Sequence, residues 1–164
     1  MSNDLLLPIV NEALEENDIK YEVLECDPSL ADTAAFCEHY GYSLNQAANT
    51  ILVMSKKISP VKYAVCINLA TTKLDVNKSV RKLLDVKRIS FADADSTTML
   101  SEMLIGGVTP FGIKNLPIYV DSEVLNQKQV VMGGGNRSSK LILDPKELKK
   151  LDNVLIVEAL ALPK

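Results

Sequence analysis

Tryptophan is absent from this 164-residue chain, aromatic residues make up only 5% of it, and His39 is its one histidine. A core built from this chain must therefore rest on Leu, Ile, Val, Ala and Met. The three cysteines, Cys26, Cys37 and Cys66, are widely spaced and form no Cys-x-x-Cys pair. With one histidine they offer at most a scattered ligand set, so neither a zinc site nor a disulfide framework is expected. A reduced, cytoplasmic setting follows. No run approaches the roughly 20 apolar residues of a membrane span, and Met1-Ser2-Asn3-Asp4-Leu5-Leu6-Leu7-Pro8 lacks the basic start and long apolar stretch of a signal peptide. Repeats and low-complexity tracts are missing too. So are the phosphate-loop, GxGxxG, GxSxG, HExxH and DxDxDG signatures. A Ser-His-Asp triad would have to use His39, which falls at a helix end and reads as a surface or dipole partner. Cys37 reads as a small buried hydrophobe.

The composition that remains is that of an ordinary globular protein, 47% hydrophobic and 24% charged. The length suits one domain spanning residues 1–164, able to bury a core without staples. A net charge of −3 argues against non-specific coating of nucleic acid, though not against a local basic patch.

Apolar spacing predicts an opening helix through Leu5, Leu6, Ile9, Val10 and Leu14, then a strand over Tyr21-Glu22-Val23-Leu24-Glu25-Cys26. Asp32 or Thr33 can cap a helix that Gly41 closes. A short helical piece near Asn45 to Asn49 feeds a strand over residues 50–54. A hairpin loop, Lys56-Lys57-Ile58-Ser59-Pro60, leads to the most strand-like run, residues 62–69. A helix opened by Asp75 or Asn77 carries Val80, Leu83 and Leu84, and residues 89–91 form a short strand. A helix from Ser96 to Met103 follows. Short strands are expected at residues 117–121, 129–132, 140–143 and 154–157, with a tight turn at Gly133-Gly134-Gly135-Asn136 and a helix capped by Asp144 ahead of Pro145. Without regular βαβ alternation, this is an α/β (α+β) fold with a mixed, barrel-like sheet and flanking helices.

Most of the seven glycines fall in two places, Gly106-Gly107-Val108-Thr109-Pro110-Phe111-Gly112 and Gly133-Gly134-Gly135. Glycine admits close approach to the main chain, and Pro110 stiffens the first segment. A stiff loop with free N–H groups suits an anion or a developing oxyanion; two tight turns between strands would look the same. Lys73, Lys78, Arg81, Lys82, Lys87 and Arg88 crowd one short segment, and Lys78, Arg81 and Lys82 share a helix face. Such a stripe can meet a phosphate backbone or be a solvated face.

The order of these features resembles the YbaK/ProRS-associated domain family, the editing insertion of bacterial prolyl-tRNA synthetases and its free-standing relatives. The resemblance rests on Gln46-Ala47-Ala48-Asn49-Thr50-Ile51-Leu52-Val53, the strand over residues 64–69, Leu74-Asp75-Val76-Asn77-Lys78, the glycine loop and Leu116-Pro117-Ile118-Tyr119-Val120-Asp121. It implies hydrolysis of the ester joining a wrong, small amino acid to a tRNA, with tRNA-Pro the common case. It implies no metal or organic cofactor. Aminoacyl-tRNA is the implied partner, with an aminoacyl-tRNA synthetase as a second. By this resemblance Gly106, Gly107, Thr109, Gly112 and Asn49 are the catalytic candidates. Thr50, Met103, Ile105, Pro110, Asp121, Gly134 and Ser138 are expected at the substrate, with Ser139 an alternative to Ser138, and Lys78, Arg81 and Lys82 at the tRNA. Asn49 stands where such relatives commonly carry lysine. It keeps hydrogen bonding and drops the charge, which leaves three readings: a phosphate held differently, another amino acid accepted, or a degenerate site that binds tRNA or a synthetase without turnover.

Overall fold

Proline decides where the first helix begins. The computed structural model, which describes residues 4–164, starts α1 at Pro8 (Pro8–Glu16) rather than at Leu5. Pro8 sits at the first helical position, where a missing N–H is harmless. It also holds Leu7 extended, at φ −59° and ψ 135°. Val10, Ala13 and Leu14 form the buried face of α1.

β1 (Glu22–Glu25) and α2 (Thr33–Tyr40) follow, the latter closed by Gly41 in the left-handed region at φ 79°. The helical piece before the next strand ends at Gln46, and β2 (Ala48–Ser55) already includes Asn49. β3 (Tyr63–Leu69), β4 (Thr72–Leu74) and a π-type turn over Val76–Val80 lead into α3 (Arg81–Leu84). Val80 and Leu84 are buried, as their spacing predicts. β5 (Ile89–Phe91) precedes α4 (Ala94–Ser101), which begins earlier than expected because Asp93 caps it by accepting from Ser96 N–H. It ends at Glu102, which is left-handed at φ 61°, so Met103 is outside the helix.

β6 (Ile118–Asp121), β7 (Val130–Gly133), β8 (Ser139–Leu143), β9 (Val154–Val157) and β10 (Ala161–Pro163) complete the chain. Asp144 caps the segment Pro145–Lys150 through Lys146 N–H, but the turns there are 3-10 rather than α. β4 and β10 carry no periodic signal that would announce them; they pair with each other only once the chain has folded back.

Five strands form a mixed sheet in the order β5-β2-β3-β6-β9, antiparallel from β5 to β3 and parallel from β3 to β9. A second, antiparallel sheet has the order β1-β8-β7. Among the described residues one isolated parallel bridge, Ala47 to Val131, links their ladders. The barrel expected from the sequence is therefore not closed. β2 pairs with β5 only through Val53 to Ser55, so between that pairing and the Ala47 bridge its outer edge carries no strand from the described residues. The space left there is the candidate site.

The main core lies between the sheets and α1, around Leu14, Ile67, Met103, Phe111, Met132 and Leu141. Each such side chain contributes about 1.5–3 kcal/mol by burial. Among the described residues no helix is long and apolar enough to cross a membrane.

Asp121, expected at the substrate, ties the chain end instead. Its Oδ1 accepts from the N–H groups of Leu160 (3.1 Å) and Ala161 (3.4 Å), its Oδ2 is buried without a partner, and the residue is 1% exposed. Burial raises its pKa, and the hydrogen bonds from Ala161 and Leu160 offset this only in part. A folded pKa above the unfolded value means that this group's stability is full below the unfolded value and declines as pH rises through the folded one. Asp121→Asn, which keeps the acceptor and removes the charge, is expected to melt above the wild type near pH 7, with the gap closing toward pH 4. Asp121→Ala is expected to cost about 1–3 kcal/mol by orphaning two buried N–H groups. Thermal denaturation across that range checks both; an Asp121→Asn protein less stable at pH 7 would refute the first.

Candidate active site

The two glycine segments lie back to back. Gly135 N–H donates to Gly107 O (2.7 Å), and Leu104 N–H to Gly135 O (3.3 Å). A Cβ on Gly107 would run into the Asn136 backbone, and one on Gly133 into the Gly107 carbonyl. Contact between backbones, rather than unusual torsions, excludes side chains at these two positions.

This contact has a consequence for peptide orientation. Arg137 Nη1 donates to Ile105 O (2.8 Å) and Lys140 Nζ to Gly106 O (2.9 Å), next to the Gly135 bond to Gly107 O. Three successive carbonyls are thus held from the side of the β7–β8 connection. The Gly107 N–H turns back to Leu104 O (2.9 Å), whereas those of Gly106 and Val108 meet no acceptor among the described residues. Gly106 and Val108 are also loop residues that line the cavity.

The cavity measures about 330 Å³, at the small end of the roughly 300–1,000 Å³ usual for ligand pockets. Phe36, Ala47, Leu52, Ala92, Val131 and Met132 give it apolar walls. Its polar groups come from Asp32, Thr33, Asn49, Thr50, Thr97 and Lys140. Asn49 Oδ1 accepts from Thr33 Oγ1 (2.7 Å), which leaves the two amide hydrogens of Asn49 as the donors it can offer a ligand. Thr50 Oγ1 is buried with no partner.

Lys140 is the unusual group. It is 6% exposed, donates to Ala31 O (2.6 Å) and Gly106 O, and stands 5.4 Å from the centre of the Phe36 ring. Burial pushes its pKa down; Cys26, Asp32 and Cys37 oppose the shift and Arg137 adds to it. The Asp32 carboxylate is taken by Arg137 (3.2 Å).

Asn49, Thr50, Ile105 and Gly106 therefore meet at one cavity, and other expected residues do not line it. Gly107 and Gly134 lie behind the loop; a Cβ on Gly134 would meet Ser139 Oγ. Thr109 is fully buried, with its N–H on Met103 Sδ (3.5 Å) and its Oγ1 unpartnered, and Met103 is core. Pro110 and Gly112 face a separate hollow beside Lys114 and Asn153. The Ser138 N–H and the Ser139 hydroxyl both donate to Asn136 Oδ1, at 3.1 and 2.8 Å. Lys78, Arg81 and Lys82 are exposed and stand apart from the cavity lining. Sequence reasoning missed Thr33, Val108, Arg137 and Lys140. A lysine at the second position of the wholly buried strand β8 was the available signal.

No histidine lines this cavity, and the three cysteines are buried and free, with the Cys66 thiol pushed up to about 12 by burial. Among the described residues no cluster of three or more His, Cys, Asp or Glu could hold a metal. The arrangement offers backbone N–H groups without an acceptor among the described residues, at a cavity with apolar walls, rather than an activated nucleophile.

A family model for the aminoacyl-tRNA editing domain matches residues 27–151. Among solved structures, the chain resembles a candidate trans-editing enzyme for prolyl tRNA synthetase, with a TM-score of 0.79 and 22% identity over 97% of this chain and 99% of that one. A hypothetical protein gives 0.79 at 22% identity over 90% and 96%. A candidate signal transduction protein from Marinobacter aquaeolei gives 0.65 at 14% identity, over 95% of this chain and 31% of that longer one. The chain belongs to the aminoacyl-tRNA editing domain family. Its fold, a mixed α/β arrangement with flanking helices, is that of the trans-editing structure.

Gly107→Ala is expected to cost about 3 kcal/mol, the top of the usual overpacking range, because the colliding atoms are backbone. At this chain length that is about 6–12 °C in Tm. A melting point within about 2 °C of the wild type would show that the two loops can part.

Proposed function

We propose that this protein acts in trans, in the cytoplasm, to hydrolyse the ester of an aminoacyl-tRNA carrying a small, wrong amino acid. The observation that carries the reading is the pair of unengaged N–H groups, Gly106 and Val108, at a small cavity with apolar walls. An aminoacyl ester is already activated, so positioning it and stabilising its oxyanion supply much of the acceleration. Water attacks the carbonyl carbon, the carbonyl oxygen gains charge beside the loop amides, and collapse of the intermediate breaks the bond to the ribose oxygen, which takes up the proton the water loses. The products are a free amino acid and a deacylated tRNA.

Asn49, which lines the same cavity, donates to the substrate, and Thr50 Oγ1 supplies a polar contact for the amino acid. The limited volume excludes large side chains, so selection works by size. The Lys78, Arg81 and Lys82 face meets tRNA phosphates outside the cavity. A second reading, a module that binds tRNA or a synthetase without turnover, draws on this exposed stripe and on the uncharged Asn49.

Purified protein is expected to deacylate at least one of Ala-, Ser-, Thr- or Cys-tRNA, with tRNA-Pro the first to test. Substituting Lys78, Arg81 and Lys82 together by Gln should raise KM and flatten the salt dependence by up to about one log unit per lost phosphate contact, leaving kcat within about threefold. A full panel left intact at high enzyme concentration would sink the deacylase reading. tRNA binding retained without turnover would establish the second one.

A further inference from the structure

Arg137 and Lys140 have no counterpart among the groups that touch substrate in the mechanism above. Yet both reach into the site region from the β7–β8 side, and both end on loop carbonyls. A buried ammonium whose hydrogen-bond acceptors are two backbone carbonyls, Ala31 O and Gly106 O, with no carboxylate paired to it among the described residues, is costly to keep. Its geometry shows what it does. In a trans peptide the C=O and N–H point in opposite directions. Whatever grips the carbonyl of one peptide therefore aims the amide hydrogen of the same unit the other way. Arg137 grips Ile105 O, in the unit whose N–H belongs to Gly106. Lys140 grips Gly106 O, in the unit whose N–H, that of Gly107, is already fixed on Leu104. Gly135 N–H grips Gly107 O, in the unit whose N–H belongs to Val108. Three donors, all from residues 135–140, thus take three successive carbonyls of the loop, and two amide hydrogens, those of Gly106 and Val108, stay unengaged among the described residues.

We propose that Arg137 and Lys140 are positioning residues that set the Gly106 and Val108 amides as a preformed oxyanion-binding pair. The role rests on the deacylase reading of the same cavity. Arg137 fixes the first amide directly. Lys140 locks the peptide between the two, so that they cannot rotate independently. A cationic donor on a carbonyl also polarises its peptide and strengthens the N–H on the far side. The Arg137 side chain is anchored on its own account, with Nε donating to Pro28 O (3.0 Å) and Nη1 shared with Asp32 Oδ1. The clamp therefore joins the turn before α2, the β7–β8 connection and the loop.

The test uses Arg137→Met, Arg137→Lys and Lys140→Met in the full chain, with thermal denaturation to confirm folding. Arg137 is the more informative position because it is only half-buried, so its variants are expected to fold. Steady-state deacylation of the mischarged tRNA that the wild type accepts is one readout. Arg137→Met should lower kcat about 10²-fold, the scale of losing an oxyanion donor, with KM within about threefold, and Arg137→Lys should recover part of the loss. The second readout needs no turnover: the amide resonance of Gly106 in a ¹⁵N–¹H correlation spectrum should move on Arg137→Met, and those of Gly107 and Val108 on Lys140→Met. An effect confined to KM would overturn the proposal, because it would make Arg137 a substrate-binding cation. Unmoved Gly106 and Val108 resonances in folded variants would overturn it as well. If the wild type cleaves nothing, the deacylase reading fails, and the resonance shifts still decide whether the clamp exists.

Discussion

Everything at the site depends on two stretches of backbone lying closer than side chains permit. Where Gly107 meets Asn136 and Gly133 meets the Gly107 carbonyl, the main chains pack with no Cβ between them. This contact brings the β7–β8 connection within hydrogen-bond reach of the loop. It turns the loop carbonyls toward that connection, while the amides of Gly106 and Val108, two residues that line the cavity, meet no acceptor among the described residues. A residue with a side chain at either glycine would separate the segments and undo the peptide orientation, even with every cavity-lining group retained. The two glycine clusters are one structural unit contributed by two parts of the chain.

Legibility in the sequence followed the range of the forces involved. Elements with strong periodicity or unambiguous caps, such as β3, α2 closed by Gly41, and the buried face of Val80 and Leu84, were readable from local spacing. β4 and β10 were not, because each is three residues long and exists only through its pairing with the other. Barrel closure was equally unreadable: it turns on whether β2 finds a second partner along its whole edge, and here it finds one only at the ends. Asn49, Thr50, Ile105 and Gly106, which line one cavity, could be singled out because they sit in or beside recognisable segments. Arg137 and Lys140 could not, because their role is defined by carbonyls about thirty positions away in sequence. Asp121 is the complementary case. The resemblance implies a place for it at the substrate, whereas its Oδ1 accepts from the backbone of Leu160 and Ala161, a pairing that local spacing does not announce.

The charge arrangement repeats this separation. The positive residues that were conspicuous in sequence, Lys78, Arg81 and Lys82, lie exposed and apart from the cavity lining. The inconspicuous Lys140, within a strand buried along its whole length, reaches the loop. A desolvated cation bound to peptide carbonyls contributes rigidity and local potential, and a solvated stripe contributes long-range attraction that salt can screen. One protein of net charge −3 holds both kinds.

The unpaired edge of β2 divides the cavity by origin. Gly106 and Val108 belong to a loop held by residues 135–140, whereas Ala48, Thr50 and Leu52 line the cavity from β2, with Ala92 and Thr97 from the segment that follows β5. Neither set of wall residues takes part in holding the loop carbonyls. A substitution on the wall changes the shape of the cavity and leaves the hydrogen bonds that hold the loop carbonyls in place. Cavity shape and loop orientation are thus set by separate stretches of chain, and each can be altered without the other.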